Sequence, residues 1–428
     1  MLRLARLPIA LMLLLLGACS ANAGRAQPAP SVAPPALHDL RVDVGYLSAD
    51  LLRGRETGTK GARLAAQYLV QRFRELGLAP GLDSTWTQPF DVTYSPNPHA
   101  PSGHGTPRTG RNVVAHLDRG AGRTVVIGAH YDGLGYGGPG SRSPGDSLIH
   151  NGADDNASGV AALLEMAHQL KNSDALSSNV LFVAFSGEEL GLYGSKHFVD
   201  AMPVPPDQVR YMINLDMVGR LGDSRRLVVS GTGTSPAWAP ALDAAAEATS
   251  ITLAEDPSGL GASDHTSFYL GDIPAVHLFT GAHDHYHTPG DDSHRIDYDG
   301  LHDVATFAVR LVEALGDDGD LPFTETDNEP QGRRTSFDVT LGVMPDYTFD
   351  GTGMRIDAVT EDDGPAARAG LRAGDVVVRV GDVVVRVGDV TVDDIYAYMD
   401  ALGELAPGDA TTVVVKRGDQ TLKAEVQF

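Results

Sequence analysis

The chain has 428 residues and carries 33 Lys and Arg against 56 Asp and Glu, a formal net charge of −23. That length predicts two or three domains, and 42% hydrophobic with 21% charged residues excludes a wholly disordered, collagen-like or coiled-coil chain. So acidic a surface argues against nucleic acid as a partner, and a single cysteine, Cys19, excludes an internal disulfide and a cysteine-based zinc site.

Residues 1–19 read as an export signal. Arg3 and Arg6 precede an apolar run, Ile9 to Leu16, that is too short for an ordinary spanning helix. Leu16-Gly17-Ala18-Cys19 resembles a bacterial lipobox, in which the cysteine is lipidated and becomes the mature N-terminus. The resemblance implies a lipid anchor at Cys19 and a place in the bacterial cell envelope, at the outer membrane facing the periplasm. Cleavage near Ala23 and secretion is the alternative. Residues 20–36, rich in Ala and Pro, read as a flexible tether.

From 37 to 315 helical and strand patterns alternate. Ala62–Leu76 is amphipathic and stops at Gly77; Asn112–Leu117 and Thr124–Ala129 are β-branched runs. Ser158–Leu170 is apolar at helical spacing, and Asn179–Phe185 is a continuous apolar strand of the kind buried on both faces. Strands are also expected at Tyr211–Leu215, Leu227–Ser230 and Ala275–Phe279, and helices at Ala237–Thr249 and Tyr298–Leu315. This alternation predicts an α/β fold with a mixed, mostly parallel sheet flanked by helices. Residues 316–334, acidic and without a base before Gln331, read as a linker, and 335–428, Val-rich with glycine turns, as a small β-rich domain. Within it DVVVRVG at 375–381 is repeated letter for letter at 382–388. A seven-residue shift would reverse which side chains face inward, so the second copy is expected to form its own strand or hairpin, turning near Gly381-Asp382, unless it is a sequencing slip.

Five segments place acids or histidines beyond predicted strand ends or at a helix start, where open α/β sheets bind ligands. They are Gly128-Ala129-His130-Tyr131-Asp132, Gly152-Ala153-Asp154-Asp155-Asn156, Ser186-Gly187-Glu188-Glu189-Leu190, Asn214-Leu215-Asp216 and His283-Asp284-His285-Tyr286-His287-Thr288-Pro289. A lone His-x-Asp or Glu-Glu pair is ordinary in turns, and Asp155 alone could be a helix N-terminal acid. Together the five suit a pair of zinc ions held by N and O ligands, with one carboxylate shared and a hydroxide between the metals as nucleophile. A carboxylate that is not a ligand must then carry the proton, and each ligating histidine needs an acid on its other nitrogen.

GAHYDGLG, NGADDNASG, SGEELGLYGS, NLDMVG and YHTPGDD, with SDHTSF at 263–268 and the opening YLSADLLRGRETGTKGARLAAQYL, together resemble the M28 family of zinc aminopeptidases over about residues 40–315. The resemblance implies an eight-stranded mixed sheet and two Zn2+. It implies His130 on one zinc with Asp216, Glu189 and His287 on the other, and Asp154 bridging. Glu188 would be the general base and Asp132 the acid orienting His130. It also implies a cis peptide at Asp154-Asp155 and Asp264 and His265 on the substrate side; His283 and His285 read, from the residues alone, as bystanders. LGV at 341–343 and GPAARAGLRAGDVV at 364–377 are similar to a bacterial PDZ domain, which takes a peptide or protein C-terminus as an added strand. The function implied is an aminopeptidase acting on peptides with a free N-terminus. The alternatives are an M20-like carboxypeptidase or deacylase, a transferase resembling glutaminyl cyclases, and a non-catalytic PDZ peptide-binding protein.

Overall fold

Four valine-rich or isoleucine-rich runs become central strands because both of their faces are covered. In a computed structural model of the chain, residues 35–94, 105–137, 140–143, 147–317 and 321–326 are described. In the C-terminal part so are 339–345, 352–359, 364–381, 390–392, 398, 401–402, 405–406, 408–418 and 420–428. The expected signal, most of the tether and the second DVVVRVG copy lie outside the described residues.

In chain order the elements of the larger part are α1 (Pro35–Leu47), α2 (Lys60–Glu75), β1 (Ala79–Pro80), β2 (Thr87–Tyr94), β3 (Thr106–Leu117) and β4 (Thr124–His130). Then follow α3 (Gly159–Lys171), β5 (Asn179–Phe185), α4 (Tyr193–Asp200), β6 (Val209–Leu215) and β7 (Arg226–Ser230). The last are α5 (Trp238–Thr249), β8 (Thr252–Asp256), α6 (His265–Tyr269), β9 (Ala275–Phe279) and α7 (Tyr298–Leu315). The strands form one sheet in the order β1-β3-β5-β4-β6-β9-β7-β8, with β2 paired to β3. The ladder β5-β4-β6-β9 is parallel, and β3 joins β5 antiparallel. Strand β5 shows how the sequence specifies two layers. Val180, Phe182 and Ala184 enter the core under α3 and α7, while Leu181, Val183 and Phe185 enter the core under α4 and α6. Thr59 caps α2 and Asp297 caps α7, each accepting from a backbone N–H of the first turn.

Among the described residues nine strands stand in this sheet rather than the eight expected. The strand off the main path is β2, which pairs with β3 at the edge in register from Thr87↔Val113 to Tyr94↔Thr106. Pro89, Pro107 and Gly110 hide this pair in the sequence, because proline reads as a strand breaker but is tolerated at an edge. Helix α1 begins at Pro35, inside the stretch read as tether.

The acidic stretch after α7 is partly docked. Thr324 N donates to Thr234 O (2.8 Å), and Phe323 packs on Tyr269 with ring centroids 5.5 Å apart. Thr326 gives both its N–H and its hydroxyl to the Tyr269 hydroxyl oxygen (3.1 Å each) and accepts from Gly259 N (3.3 Å). This strap belongs to the first domain, although its sequence reads as linker.

The C-terminal part is a separate antiparallel sheet, β10 (Val343–Pro345), β11 (Met354–Val359), β12 (Val376–Gly381), β14 (Ala410–Arg417) and β15 (Gln420–Gln427), with β13 (Val390–Thr391) on β12. The first DVVVRVG copy supplies β12. Buried Asp375 takes a two-pronged ion pair from Arg417, at 2.6 and 2.7 Å, which ties the start of β12 to the end of β14.

Ending the chain after Thr326 should leave the melting temperature of the first domain unchanged. Ending it after Asp317 should lower that temperature by about 2–8 °C, for the loss of about 1–2 kcal/mol of strap contacts. Equal melting of the two truncations by calorimetry would show the strap to be idle.

Candidate metal centre

Parallel strands β5, β4 and β6 lie side by side, so their carboxyl ends open at one edge. His130 is the last residue of β4, Asp216 follows β6 directly, and Ser186-Gly187-Glu188-Glu189 turns away from β5. Asn112 of β3 fixes that turn: its amide oxygen accepts from Ser186 N (3.2 Å) and its N–H₂ donates to Gly194 O (2.8 Å).

Residues Ala153–Ser158 form an irregular turn before α3, with a cis peptide at Asp155-Asn156. The turn is held from three sides. Asp291 Oδ2 accepts from both Asp154 N and Asp155 N at 2.9 Å. Asn156 Nδ2 donates to Leu215 O (2.9 Å), and its Oδ1 accepts from Gly159 N (2.9 Å) and Met217 N (3.2 Å). The carboxylate of Asp155 is thereby presented toward the strand ends. His287 arrives from the loop after β9, where its Nδ1–H donates to Gly140 O (2.7 Å). That bond sets the tautomer, so in the neutral ring the Nε2 lone pair faces the acids.

Two triads result. His130, Asp155 and Asp216 have ligand atoms mutually within 4.8 Å, and so do Asp155, Glu189 and His287. His130 Nε2 lies 3.3 Å from Asp155 Oδ1 and 3.3 Å from Asp216 Oδ1. His287 Nε2 lies 2.9 Å from Asp155 Oδ2 and 3.3 Å from Glu189 Oε2. Asp155 thus turns one oxygen to each histidine. Glu188 belongs to neither triad, with Oε2 4.0 Å from His130 Nε2. These residues line an open cavity of about 330 Å³ whose less polar wall is Leu192, Met217, Ala262 and Tyr286.

Several expectations are corrected. The shared carboxylate is Asp155, not Asp154. Asp154 is fully buried and turned away, with Oδ1 accepting from Gly219 N (2.8 Å) and Oδ2 3.1 Å from His283 Nε2. In a sharp turn, adjacent side chains point apart, and spacing alone does not say which faces the metal. The cis peptide falls at Asp155-Asn156, one step later than expected. Asp264 and His265 do not line the cavity: both are fully buried, and Ala262 supplies the wall. Asp132 is next to His130, but its Oδ1 is 3.7 Å from His130 Nδ1, beyond hydrogen-bond length. Its oxygens accept from the Thr57 hydroxyl (2.9 Å) and Glu188 N (3.3 Å). Burial in a tight acid cluster set this packing, and no motif announces it. The residues that sequence reading missed are the supports: Thr57, Asn156, Ser263, Asp291 and Tyr286. Ser263 donates to Asp216 Oδ2 (2.7 Å), and Tyr286 stacks on His287 at 3.8 Å between ring centroids. Their signal was position within the quoted motifs, as with Asp291 in Thr288-Pro289-Gly290-Asp291.

Burial and mutual repulsion shape the titration. Burial raises the Glu188 carboxyl well above its ordinary pKa, helped by Glu189, Asp216 and Asp264. Burial likewise raises Glu189 and lifts Asp264 to about 7. Burial alone would lower His130 and His287, but the acids facing them hold both well above the ordinary histidine value. The cluster is short of positive charge. Two imidazoles and three carboxylates in two overlapping triads form the mixed N and O donor set that zinc takes, so the residues fit a metal.

The sequence model of peptidase family M28 matches residues 112–312, and that of the PDZ domain matches 339–428. A probable lipoprotein aminopeptidase of Mycobacterium tuberculosis is 33% identical over 40% of this chain and 35% of its own length. An aminopeptidase of Bacillus subtilis is 31% identical over 43% of this chain and 40% of its own length. The chain therefore spans well under half of each of these relatives. Among solved structures, a zinc aminopeptidase from Bacillus subtilis superposes with a TM-score of 0.55 at 19% identity, over 65% of this chain and 95% of that one. A glutaminyl cyclase from Porphyromonas gingivalis superposes with a TM-score of 0.53 at 22% identity, over 64% and 96%. These likenesses show the fold. The chain carries a domain of peptidase family M28 followed by a PDZ domain.

Proposed function

We propose that the chain is a zinc-dependent aminopeptidase that removes N-terminal residues from peptides, holding two zinc ions. The observation that carries this reading is the pair of triads that share Asp155 while Glu188 stands outside both. His130, Asp155 and Asp216 would hold one ion, and Asp155, Glu189 and His287 the other. Bound zinc would supply Lewis acidity for the scissile carbonyl and for a water. Glu188 accepts the proton of the attacking water and hands it to the leaving amine, a transfer suited to a carboxylate that stands beside the triads and belongs to neither. In this reading the free N-terminus of the substrate would lie at this end of the cavity, beside Glu188 and Glu189. Asp132 and Thr57 keep the β4 end in place, and Ser263 fixes the orientation of Asp216.

The glutaminyl cyclase likeness gives a second reading, transfer at an N-terminal residue, because the two chemistries share this fold. The complete second triad at Asp155, Glu189 and His287 favours the two-metal hydrolase. The PDZ domain would receive a peptide or protein C-terminus along a sheet edge. The residues at Leu16–Cys19 support a lipid anchor, in keeping with the name of the Mycobacterium relative. Among the described residues no helix is long and apolar enough to cross a membrane.

Hydrolysis of a leucine-initiated peptide should vanish with a chelator, return with zinc, and be absent for the N-acetylated peptide; equal cleavage of both would refute amine recognition. Glu188→Gln should cut turnover by about 10²–10⁴-fold with zinc content unchanged. Retention of more than about a tenth of the activity would remove Glu188 from the proton transfer. Asp155→Asn should lower zinc occupancy at both positions, whereas Asp154→Asn, which still accepts from Gly219 N, should keep both. Metal analysis showing the reverse would restore Asp154 as the shared ligand.

A further inference from the structure

Arg55 is among the largest fully buried side chains, at 1% exposure, and no motif chemistry calls for a cation there. It reaches the interior because the chain from Arg53 to Arg55 runs in left-handed backbone (φ 49, 65 and 51). Gly54 makes that path possible: its carbonyl accepts from Gly135 N (3.0 Å), and a Cβ on it would sit 2.5 Å from the Gly135 and His150 carbonyl oxygens.

Every hydrogen bond of the Arg55 guanidinium runs to a main-chain carbonyl. Nε donates to Tyr131 O (2.8 Å), Nη1 to Leu47 O and to Asn151 O (2.7 Å), and Nη2 to Gly152 O (2.9 Å). Tyr131 follows His130 in the chain, and Asn151-Gly152 lead into the turn that carries Asp155. His130 and Asp155 belong to the same triad. The charge itself is offset by Asp155, Asp132, Asp291 and Glu189 nearby.

We infer that Arg55 is a positioning residue that preforms the metal centre, its planar fork tying the backbone after His130 to the backbone before Asp155 so that both ligands are in place before a metal arrives. The inference rests on the metal reading of this site. The fork matters more than the charge. A lysine keeps the charge but radiates its donors from one nitrogen, and cannot serve carbonyls held by three different nitrogens.

The test compares zinc affinity of the full chain in wild-type, Arg55→Lys, Arg55→Met and Phe73→Leu forms, by competition with a chromophoric chelator. Phe73 is buried in α2, belongs to neither triad, and serves as a destabilised control. Both Arg55 variants should need about 10–100-fold more free zinc for half-occupancy, as when groups that orient ligands are lost, and the control should bind as wild type. In the metal-free proteins, hydrogen exchange should quicken at residues 131–135 and 150–156 in Arg55→Lys and stay unchanged in β5 and β6. Wild-type affinity in Arg55→Met would overturn the inference, and wild-type affinity in Arg55→Lys would show that charge alone suffices and overturn the fork. Failure of both variants to fold, with and without zinc, would make Arg55 a core residue and equally overturn it. A folded wild-type chain that takes no zinc would instead refute the metal reading itself, before any variant is compared.

Discussion

Carboxylates crowded at the end of a buried sheet are the constraint on which this molecule turns. Asp132, Asp155, Asp216 and Asp264 are buried, and Glu188 and Glu189 are nearly so. Each charge withdrawn from water costs several kcal/mol unless a partner repays it. Nearby cations among the described residues are the two histidines and Arg55, and the histidines hold protons more tightly than usual because the acids demand it. A divalent ion answers the same demand with more charge, so metal and protons compete for one set of atoms.

The surrounding fold is arranged to keep those acids facing inward. Parallel β4, β5 and β6 bring three ligand-bearing segments to one edge, and residues buried on both faces leave these strands little freedom to shift register. The remaining ligands come from loops, and each loop is secured by hydrogen bonds between side chains and the main chain. Asp291 and Asn156 hold the Asp155 turn, and Gly140 holds His287. The strap at Leu321–Thr326 secures Tyr269 and Gly259, on the chain segment that includes the Ala262 wall of the cavity.

Much of this was legible in the residues. The continuous apolar run at Asn179–Phe185 reads as a strand covered on both faces and is one, and the fold gathers His130, Glu189, Asp216 and His287 around Asp155. The failures have separate causes. Asp154 and Asp155 are chemically identical and adjacent, and only the turn decides which faces the histidines; that turn depends on Asp291, more than 130 residues away in sequence. Edge strand β2 was masked by Pro89, and α1 by the proline-rich composition that precedes it. The strap reads as linker because the acids on either side of it outweigh Leu321 and Phe323 in composition, although those two side chains face the domain.

The central claim is that one carboxylate, Asp155, serves two metal positions. Diffraction at the zinc absorption edge, from crystals of the chain grown with zinc, tests it most directly. The expected map has two anomalous peaks on opposite sides of Asp155, one against His130 and Asp216 and the other against His287 and Glu189. A single peak, or peaks placed around Asp154 and His283 instead, would contradict it.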